Sequence, residues 1–131
     1  MGVQSAKELT VYKKAYALAM QIFNVSKRFS VEERFALTGQ IRRSSRSVCN
    51  NLREAWAKRR YLSHFVSKLT DCDGENCETD TSLDFARDCG YITDVEHQKL
   101  AGESAAVGRM LGSMINNPEP FLPASNRSAA P

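Results

Sequence analysis

Residues 40–56, QIRRSSRSVCNNLREAW, place four arginines in a short stretch with small polar side chains and one acid. On an α-helix, Arg42, Arg46 and Arg53 fall within about 40° of one another, with Arg43 beside them. Guanidinium groups bind phosphate or carboxylate oxygens, often through two parallel hydrogen bonds. The stretch therefore predicts either a nucleic-acid surface or a surface that pairs with the acids of a protein.

Charge is divided unevenly along the 131 residues. Residues 1–69 contain 14 lysines and arginines against 4 acids, a net charge of +10, whereas residues 70–131 contain 4 against 11, a net charge of −7. This asymmetry predicts complementary surfaces that meet within one subunit or between subunits. The basic surface is assigned to Lys13, Lys14, Arg42, Arg43, Arg46, Arg53, Arg59 and Arg60, and the acidic partner surface to Glu78, Asp80 and Asp84.

The sequence gives little support for a metal site or for nucleophilic catalysis. Di-iron bundles use Glu-x-x-His pairs, and neither His64 nor His97 has a glutamate three residues before it. No phosphate-binding loop and no nucleophile beside a base is recognisable. We therefore expect no catalytic residue, cofactor, metal or small-molecule substrate. The chain has no C-x-x-C pair, and all four cysteines are predicted to be free thiols in or near the core, namely Cys49, Cys72, Cys77 and Cys89.

Four amphipathic helices are predicted over residues 6–28, 31–57, 62–89 and 94–117. Ser5, Ser30 and Thr93 are each followed three residues later by a glutamate, a capping-box pattern that marks the start of a helix. Gly90 is placed to end the third helix in the left-handed conformation that glycine favours. Because no strand pattern occurs and the connections are short, the sequence predicts an all-α, antiparallel up-down-up-down four-helix bundle.

The bundle is expected to occupy residues 1–117. Residues 118–131 hold all four prolines and are predicted to form an extended or disordered tail, with Phe121 and Leu122 placed to hold its start on the bundle. The sequence has no apolar run of the length that a signal peptide or a membrane span requires. Together with the unpaired cysteines, this predicts a cytoplasmic protein with no membrane partner.

The first helix is apolar over an unusually wide arc. One stripe runs through Leu9, Tyr12, Tyr16, Ala19, Met20 and Phe23, and an adjoining stripe runs through Val11, Ala15, Leu18, Ile22 and Val25. The arc spans about 200°, whereas packing on one core needs roughly 100°. The excess predicts a second interface on this helix.

Three segments carry a family likeness. They are Leu9–Ala15 in the first helix, Leu37–Glu54 in the second with its Gln40-Ile41-Arg42-Arg43-Ser44-Ser45 core, and Gly90-Tyr91-Ile92 after the third. On these residues the chain resembles the four-helix-bundle family named after proteins encoded in intervening sequences of bacterial 23S ribosomal RNA genes. It departs from the family pattern at Ala55-Trp56, where a glycine usually closes the second helix. The resemblance implies a small cytosolic bundle that assembles as a cyclic homopentamer. It also points to a related group, the accessory proteins of diversity-generating retroelements, which form basic pentamers that bind nucleic acid.

Two function classes follow from these observations. The first is a non-catalytic adaptor or assembly protein that forms a cyclic homo-oligomer, in which Arg42, Arg46 or Arg53 meets Glu78, Asp80 or Asp84. The alternative is a sequence-nonspecific RNA- or DNA-binding accessory protein that uses the basic surface of the first two helices. The net charge of only +3 favours the first class, as does the absence of aromatic residues within Lys58-Arg59-Arg60 for base stacking.

Overall fold

The computed structural model describes residues 2–124 and contains four long helices. These are α1 (Thr10–Ser26), α2 (Leu37–Ala57), α3 (Leu62–Asp88) and α4 (Asp94–Asn116). Short 3-10 turns lie at Ala6–Glu8, Val31–Glu33 and Glu119–Phe121. Helices α1 and α3 each pack on α2 and α4, so α1 and α3 are diagonal to each other. None of residues 2–124 forms a β-strand, and the predicted all-α four-helix bundle is confirmed.

Contacts between neighbouring helices run in opposite directions along the chain. Lys68 of α3 pairs with Glu54 near the end of α2, whereas Glu78, farther along α3, pairs with Arg43 near the start of α2. The same reversal relates α3 to α4 and α1 to α4, through the pairs Asn76–Ser104, Asp84–His97, Gln21–Glu103 and Arg28–Glu96. Neighbouring helices are therefore antiparallel. No helix within residues 2–124 combines the length and the apolar character that crossing a membrane requires.

The start of α4 and the end of α3 follow local sequence signals. Thr93 forms a complete capping box with Glu96, whose carboxylate also pairs with Arg28, two residues beyond the end of α1. The Thr93 amide and Arg28 together hold the pKa of Glu96 below its usual range. Gly90 has φ +80°, which ends α3 as predicted. The capping box at Ser5 also forms, but it caps the 3-10 turn, and the extended Leu9 separates that turn from α1.

The predicted helix over residues 31–57 is wrong at its start. The Ser30 hydroxyl accepts a hydrogen bond from the amide of Glu32 and caps only a 3-10 turn. Helix α2 begins instead at Leu37, whose amide donates to the Glu33 carboxylate at 3.3 Å. The other Glu33 oxygen accepts a hydrogen bond from the Tyr91 hydroxyl at 3.0 Å. A tertiary contact therefore holds Glu33 where it caps α2, which a local capping pattern does not reveal.

Polar side chains divide the core into two apolar clusters. One cluster contains Leu52, Phe65 and Leu111 near the chain termini, and the other contains Ile41 and Leu83 near the α1–α2 connection. Between them lies a buried polar layer, defined here as Ser44, Ser45, Asn76, Thr79 and Ser104. Because unpaired buried polar groups are costly, this layer favours one relative position of the helices along their axes.

Four members of the polar layer bond to one another across the helices, and Ser45 donates to the Arg42 carbonyl of its own helix. The Ser44 and Thr79 hydroxyl oxygens are 2.8 Å apart. Asn76 donates from Nδ2 to the Ser104 carbonyl at 2.9 Å, and the Ser104 hydroxyl donates back to Asn76 Oδ1 at 3.2 Å. A Cβ atom at Gly108 would lie only 3.3 Å from Asn76 Nδ2, so glycine there leaves room for the amide.

The structure describes the segment after α4 over residues 118–124. Glu119–Phe121 forms a 3-10 turn, Leu122 is buried in the core, and the Phe121 ring lies 6.4 Å from the Phe65 ring. Phe121 and Leu122 thus occupy the positions expected of residues that hold the tail on the bundle. Residues 125–131 of the predicted tail lie outside the described residues.

Alanine substitutions at Gly74, within α3, and at Gly90, just after its end, are expected to change the stability of the bundle in opposite directions. Gly90→Ala forces a side chain into a left-handed conformation and should lower the free energy of unfolding by about 1 kcal/mol. Gly74 is exposed within α3 with open space around it, so Gly74→Ala should raise stability by roughly 0.5–1 kcal/mol. Urea unfolding followed by circular dichroism measures both. Equal effects at the two positions would show that the left-handed turn is not required.

Candidate functional site

Three cations surround the half-buried ring of Phe23 on the outside of α1. Lys27 Nζ lies 4.7 Å from the ring centroid, and the guanidinium carbons of Arg42 and Arg46 lie 4.9 and 5.8 Å from it. Arg42 Nε also donates to the Ser26 hydroxyl at 2.8 Å, which fixes its position. Within residues 2–124 none of these cations forms an ion pair, so this part of the surface is strongly positive.

Apolar side chains extend this surface along α1. Met20 is 45% exposed and Tyr16 is 54% exposed, at the helical spacing that aligns them with Phe23. The adjoining stripe, including Leu18 and Ile22, fills the core. The wide arc of the first helix thus has one buried and one outward part. We name as the α1–α2 face the residues Tyr16, Met20, Phe23, Lys27, Arg42 and Arg46.

A second exposed surface lies on α3, diagonally across the bundle. Phe85 is 59% exposed, and the thiol of Cys77 is also exposed. Asp80 forms no ion pair within the described part of the chain. We name as the α3 face the residues Cys77, Glu78, Asp80, Asp84 and Phe85. This surface combines negative charge with an exposed aromatic ring.

Within the subunit, the predicted pairing of arginine with acid involves Arg43. Its guanidinium donates to Glu75 at 3.1 and 3.2 Å and to Glu78 at 2.9 Å. These contacts, led by the bond to Glu75, raise the pKa of Arg43. Arg42, Arg46 and Arg53 make no such contact within the subunit, and their pairing with the acids of a neighbouring subunit stays a prediction. Arg43 is one residue after Arg42, and one residue corresponds to a rotation of about 100° around the axis of α2. The side chain of Arg43 therefore points toward α3, whereas that of Arg42 does not.

Asp84 is hydrogen-bonded to a residue of α4, so its carboxylate is less available than that of Asp80 for contacts with another molecule. Its carboxylate lies 2.7 Å from Nε2 of His97, a contact that the sequence analysis did not predict. Arg87 Nη1 lies 3.3 Å from Nδ1 of the same ring. The sequence could have indicated this contact, because Asp84 and His97 lie at similar distances before and after the turn at Gly90.

The α2–α3 connection brings cations and aromatic rings together. The Arg59 guanidinium lies 4.1 Å from the Trp56 ring and donates to the Trp56 carbonyl at 3.0 Å. The exposed Tyr61 ring lies 5.5 Å from the ring of His64. Lys58 and Arg60 are exposed beside them. The sequence analysis considered only aromatic residues within Lys58-Arg59-Arg60, whereas the aromatic rings lie on either side of these three cations.

Lys13, Lys14 and Arg53, the remaining members of the predicted basic surface, are exposed. Within residues 2–124 their side chains form no hydrogen bond or ion pair. Arg53 lies on α2 beyond Arg46, toward the α2–α3 connection. The predicted basic surface thus divides between the α1–α2 face and this connection, with Arg43 turned toward α3.

The cysteines divide into two pairs. Cys49 and Cys72 are buried, and burial raises their pKa to about 11 and about 12. Cys77 and Cys89 are exposed, so the prediction of four thiols in or near the core is wrong for these two. Among residues 2–124 no group of three or more His, Cys, Asp or Glu side chains is placed to hold a metal ion.

Comparison with known proteins places these surfaces in a family. A family model described as "23S rRNA-intervening sequence protein" matches residues 7–113, which include all of α1, α2 and α3 and most of α4. The chain belongs to the 23S rRNA-intervening sequence protein family. Both faces and the α2–α3 connection lie inside the matched range. The family resemblance predicted from the helix motifs is therefore confirmed.

A solved structure from the same group of proteins has a similar fold. It is a protein of unknown function from the S23 ribosomal protein family of Bacteroides thetaiotaomicron, 29% identical in sequence, with a TM-score of 0.75. The likeness covers 82% of the present chain and 96% of that chain. No curated protein matches the sequence. Membership of the 23S rRNA-intervening sequence protein family thus indicates the fold of the chain but does not indicate an activity.

Proposed function

We propose that this chain is a non-catalytic assembly module that associates with copies of itself into a closed ring, a pentamer by its family resemblance. The observation that carries the proposal is the α1–α2 face, where Tyr16 and Met20 are exposed beside three cations without acidic partners in the subunit. Contiguous exposed apolar and charged surface of this kind is typical of protein–protein contacts.

The positions of the two faces suit a ring. The helices α1 and α3 are diagonal, so the α1 part of the α1–α2 face lies on the opposite side of the bundle from α3. In a cyclic assembly each subunit presents one patch to a different patch of its neighbour, and the contact repeats until the ring closes. A positive face on one side and a negative face on the other meet this requirement.

The two faces also lie at matching heights. The contact between Ser44 and Thr79 places the middle of α2 level with the middle of α3. Because the helices are antiparallel, Arg42 and Arg46 then lie level with the segment of α3 that contains Asp80. Neighbours in a ring whose axis follows the helices are not shifted along it. These arginines can therefore reach Asp80 of the next subunit without a change in the bundle.

Charge and apolar contact contribute differently to this interface. Each exposed ion pair is worth about 0–1 kcal/mol, so the arginine–acid contacts mainly select the orientation of the neighbour. Burying apolar area contributes roughly 25 cal/mol per Å², so Tyr16 and Met20 supply most of the stabilisation. The exposed Phe85 is the matching apolar group on the α3 face.

Charge reversal tests the proposal. Arg42→Glu with Arg46→Glu is expected to convert the assembly into folded monomers at micromolar concentration, as measured by light scattering after size exclusion. Adding Asp80→Arg, which breaks no ion pair of the subunit, should restore the larger mass at least in part, because the charges are exchanged across the interface. Arg109→Glu on the exposed side of α4 is the matched control and should leave the mass unchanged. An unaltered mass in the Arg42 and Arg46 variant would contradict the proposed interface.

We infer a second candidate function, nonspecific binding of single-stranded RNA or DNA, from the α2–α3 connection. Its support is the arrangement of Lys58, Arg59 and Arg60 with the rings of Trp56 and Tyr61. Cations that follow a phosphate backbone next to stacking rings are the usual features of single-strand binding. The net charge of +3 makes this the weaker of the two proposals.

Fluorescence anisotropy with labelled oligonucleotides of unrelated sequence tests this second function. Three phosphate contacts predict that affinity for a single strand falls roughly 20-fold between 50 and 200 mM salt. Alanine at Lys58, Arg59 and Arg60 should flatten that dependence, whereas Arg109→Ala should not. Negligible binding at low salt would remove the nucleic-acid function and leave the assembly function untouched.

A further inference from the structure

The connection between α1 and α2 carries an aromatic side chain that projects into solvent. Phe35 is 91% exposed, and the guanidinium of Arg34 lies 5.2 Å from the centre of its ring. Within residues 2–124 Arg34 forms no ion pair. The backbone here is held in place, because the Arg34 carbonyl packs 3.0 Å from the position of a Cβ on Gly39 and Glu33 is bonded to Leu37 and Tyr91.

An open cavity lies between the first turn of α2 and the last turns of α3. It has a volume of about 440 Å³, and its lining combines Ala36, Leu37, Phe85 and Cys89 with the polar side chains of Glu33, Gln40 and Ser82. A neighbouring depression on the same side of α3 is lined by Glu78 and again by Phe85. The region therefore combines apolar side chains, chiefly Leu37 and Phe85, with the carboxylates of Glu33 and Glu78.

We propose that the Arg34–Phe35 projection of one subunit seats in the Leu37–Phe85 cavity of the next subunit. Phe35 contacts Leu37 and Phe85 there, and Arg34 faces Glu33 or Glu78. The inference rests on the proposed ring and adds the contact that locks each subunit to its neighbour. The occupant is a second copy, because this chain carries a cationic aromatic projection complementary to its own acidic, apolar cavity.

Position along the bundle supports this seating. Phe35 precedes α2, and Phe85 and Cys89 lie at the end of α3. Because α2 and α3 are antiparallel, the projection and the cavity are at the same end of the bundle and at similar heights. The subunit does not fill its own cavity with Phe35, since that side chain is almost fully exposed. In a ring, each subunit then gives one projection and receives one.

A disulfide trap tests the contact with the full chain. Cys89 is exposed and lines the cavity, so a neighbour's projection seated there brings the thiol of Phe35→Cys next to it. Ala36 lines the same cavity, so a disulfide within one subunit can also form, but it leaves the protein at the mass of a monomer. Disulfide formation requires Cα atoms within about 7 Å. Diamide, as oxidant, takes up the two electrons and two protons that the thiols lose. Non-reducing electrophoresis is expected to show a ladder of covalent dimers, trimers and larger species that disappears on reduction.

Two control variants identify the partner thiol. Phe35→Cys with Cys89→Ser should abolish the ladder, and Phe35→Cys with Cys77→Ser should keep it. Covalent species that stop at dimers would overturn the proposal in favour of a two-fold contact. Absence of any cross-link, with circular dichroism showing a folded protein, would overturn it as well.

Removing the Phe35 side chain tests the seated projection independently of the disulfide trap. Phe35→Ala is expected to raise the dissociation constant of the assembly at least tenfold, with the stability of the subunit unchanged because the side chain is exposed. A wild-type protein that is monomeric would reject the ring itself. A wild-type protein that is oligomeric, with no ladder and no effect of Phe35→Ala, would reject only the seated projection.

Discussion

Asn76→Asp is expected to destabilise the bundle by about 3–5 kcal/mol at pH 7, because it buries a charge that has no partner. Asn76 lies in the polar layer, where its Nδ2 group donates to the Ser104 carbonyl. An ionised carboxylate has the same shape but no hydrogen to donate, so two oxygens would face each other. The Ser104 hydroxyl can satisfy only one of the two carboxylate oxygens.

The loss of stability caused by Asn76→Asp should be smaller at lower pH. Burial favours the neutral form of an acid, so the folded-state pKa of the new aspartate is raised above its value in the unfolded chain. The penalty is then fully present above the raised pKa and shrinks as the pH falls through it. The protonated acid also regains a hydrogen for the Ser104 carbonyl. Urea unfolding at pH 7 and pH 5 should therefore show a smaller difference from wild type at pH 5.

Asn50→Asp is the matched control for this substitution. Asn50 is exposed on α2, so the same change of charge should alter stability by no more than about 0.5 kcal/mol. If the Asn76 and Asn50 variants unfold at the same urea concentration, the buried polar layer does not determine the stability of the bundle.

Tyr16→Glu with Met20→Glu should abolish assembly and leave folded monomers. Both side chains are exposed in the subunit, so the bundle itself loses little stability. In the ring they are buried, and two carboxylates placed there would be desolvated without partners. The expected shift in the dissociation constant exceeds a hundredfold, which light scattering across a concentration series measures.

Ala17→Glu with Asn24→Glu is the control for helix α1. These positions are also exposed but lie to the side of the stripe formed by Tyr16 and Met20. The mass of the assembly should be unchanged in this variant. If the two double variants behave alike, the exposed stripe of α1 is not the interface, and the α1–α2 face loses its proposed role.

Local signals were sufficient to predict most of the fold. The Thr93 capping box and the left-handed Gly90 involve residues close in sequence, so their geometry follows from a few side chains and backbone bonds. The period of apolar residues identified core positions such as Ile41 and Leu83, because a helix buries one side wherever it packs.

The polar layer and the start of α2 could not be predicted in the same way. Asn76 and Ser44 fall on or beside apolar stripes, and their hydrogen-bond partners are on other helices. The cap of α2 comes from Glu33, which a bond to Tyr91 holds in place from far along the chain. Both features depend on which helices are neighbours, and the sequence of one segment does not contain that information.

The candidate surfaces were partly predictable for the same reason. Periodicity grouped Arg42 and Arg46, and the structure places both beside Phe23. It did not show that Arg43 faces Glu75 across the α2–α3 contact. The outward apolar stripe on α1 was foreseen from the width of its arc. The projecting Phe35 was not, because it lies in a turn where helical periodicity does not apply.

The mass of the wild-type protein in solution tests self-assembly most directly. Size exclusion with multi-angle light scattering at micromolar concentration, supported by native mass spectrometry, gives that mass without any substitution. We predict a value several times the 14.6 kDa of one chain, and five times for the pentamer. A single species of 14.6 kDa across that range would contradict the ring.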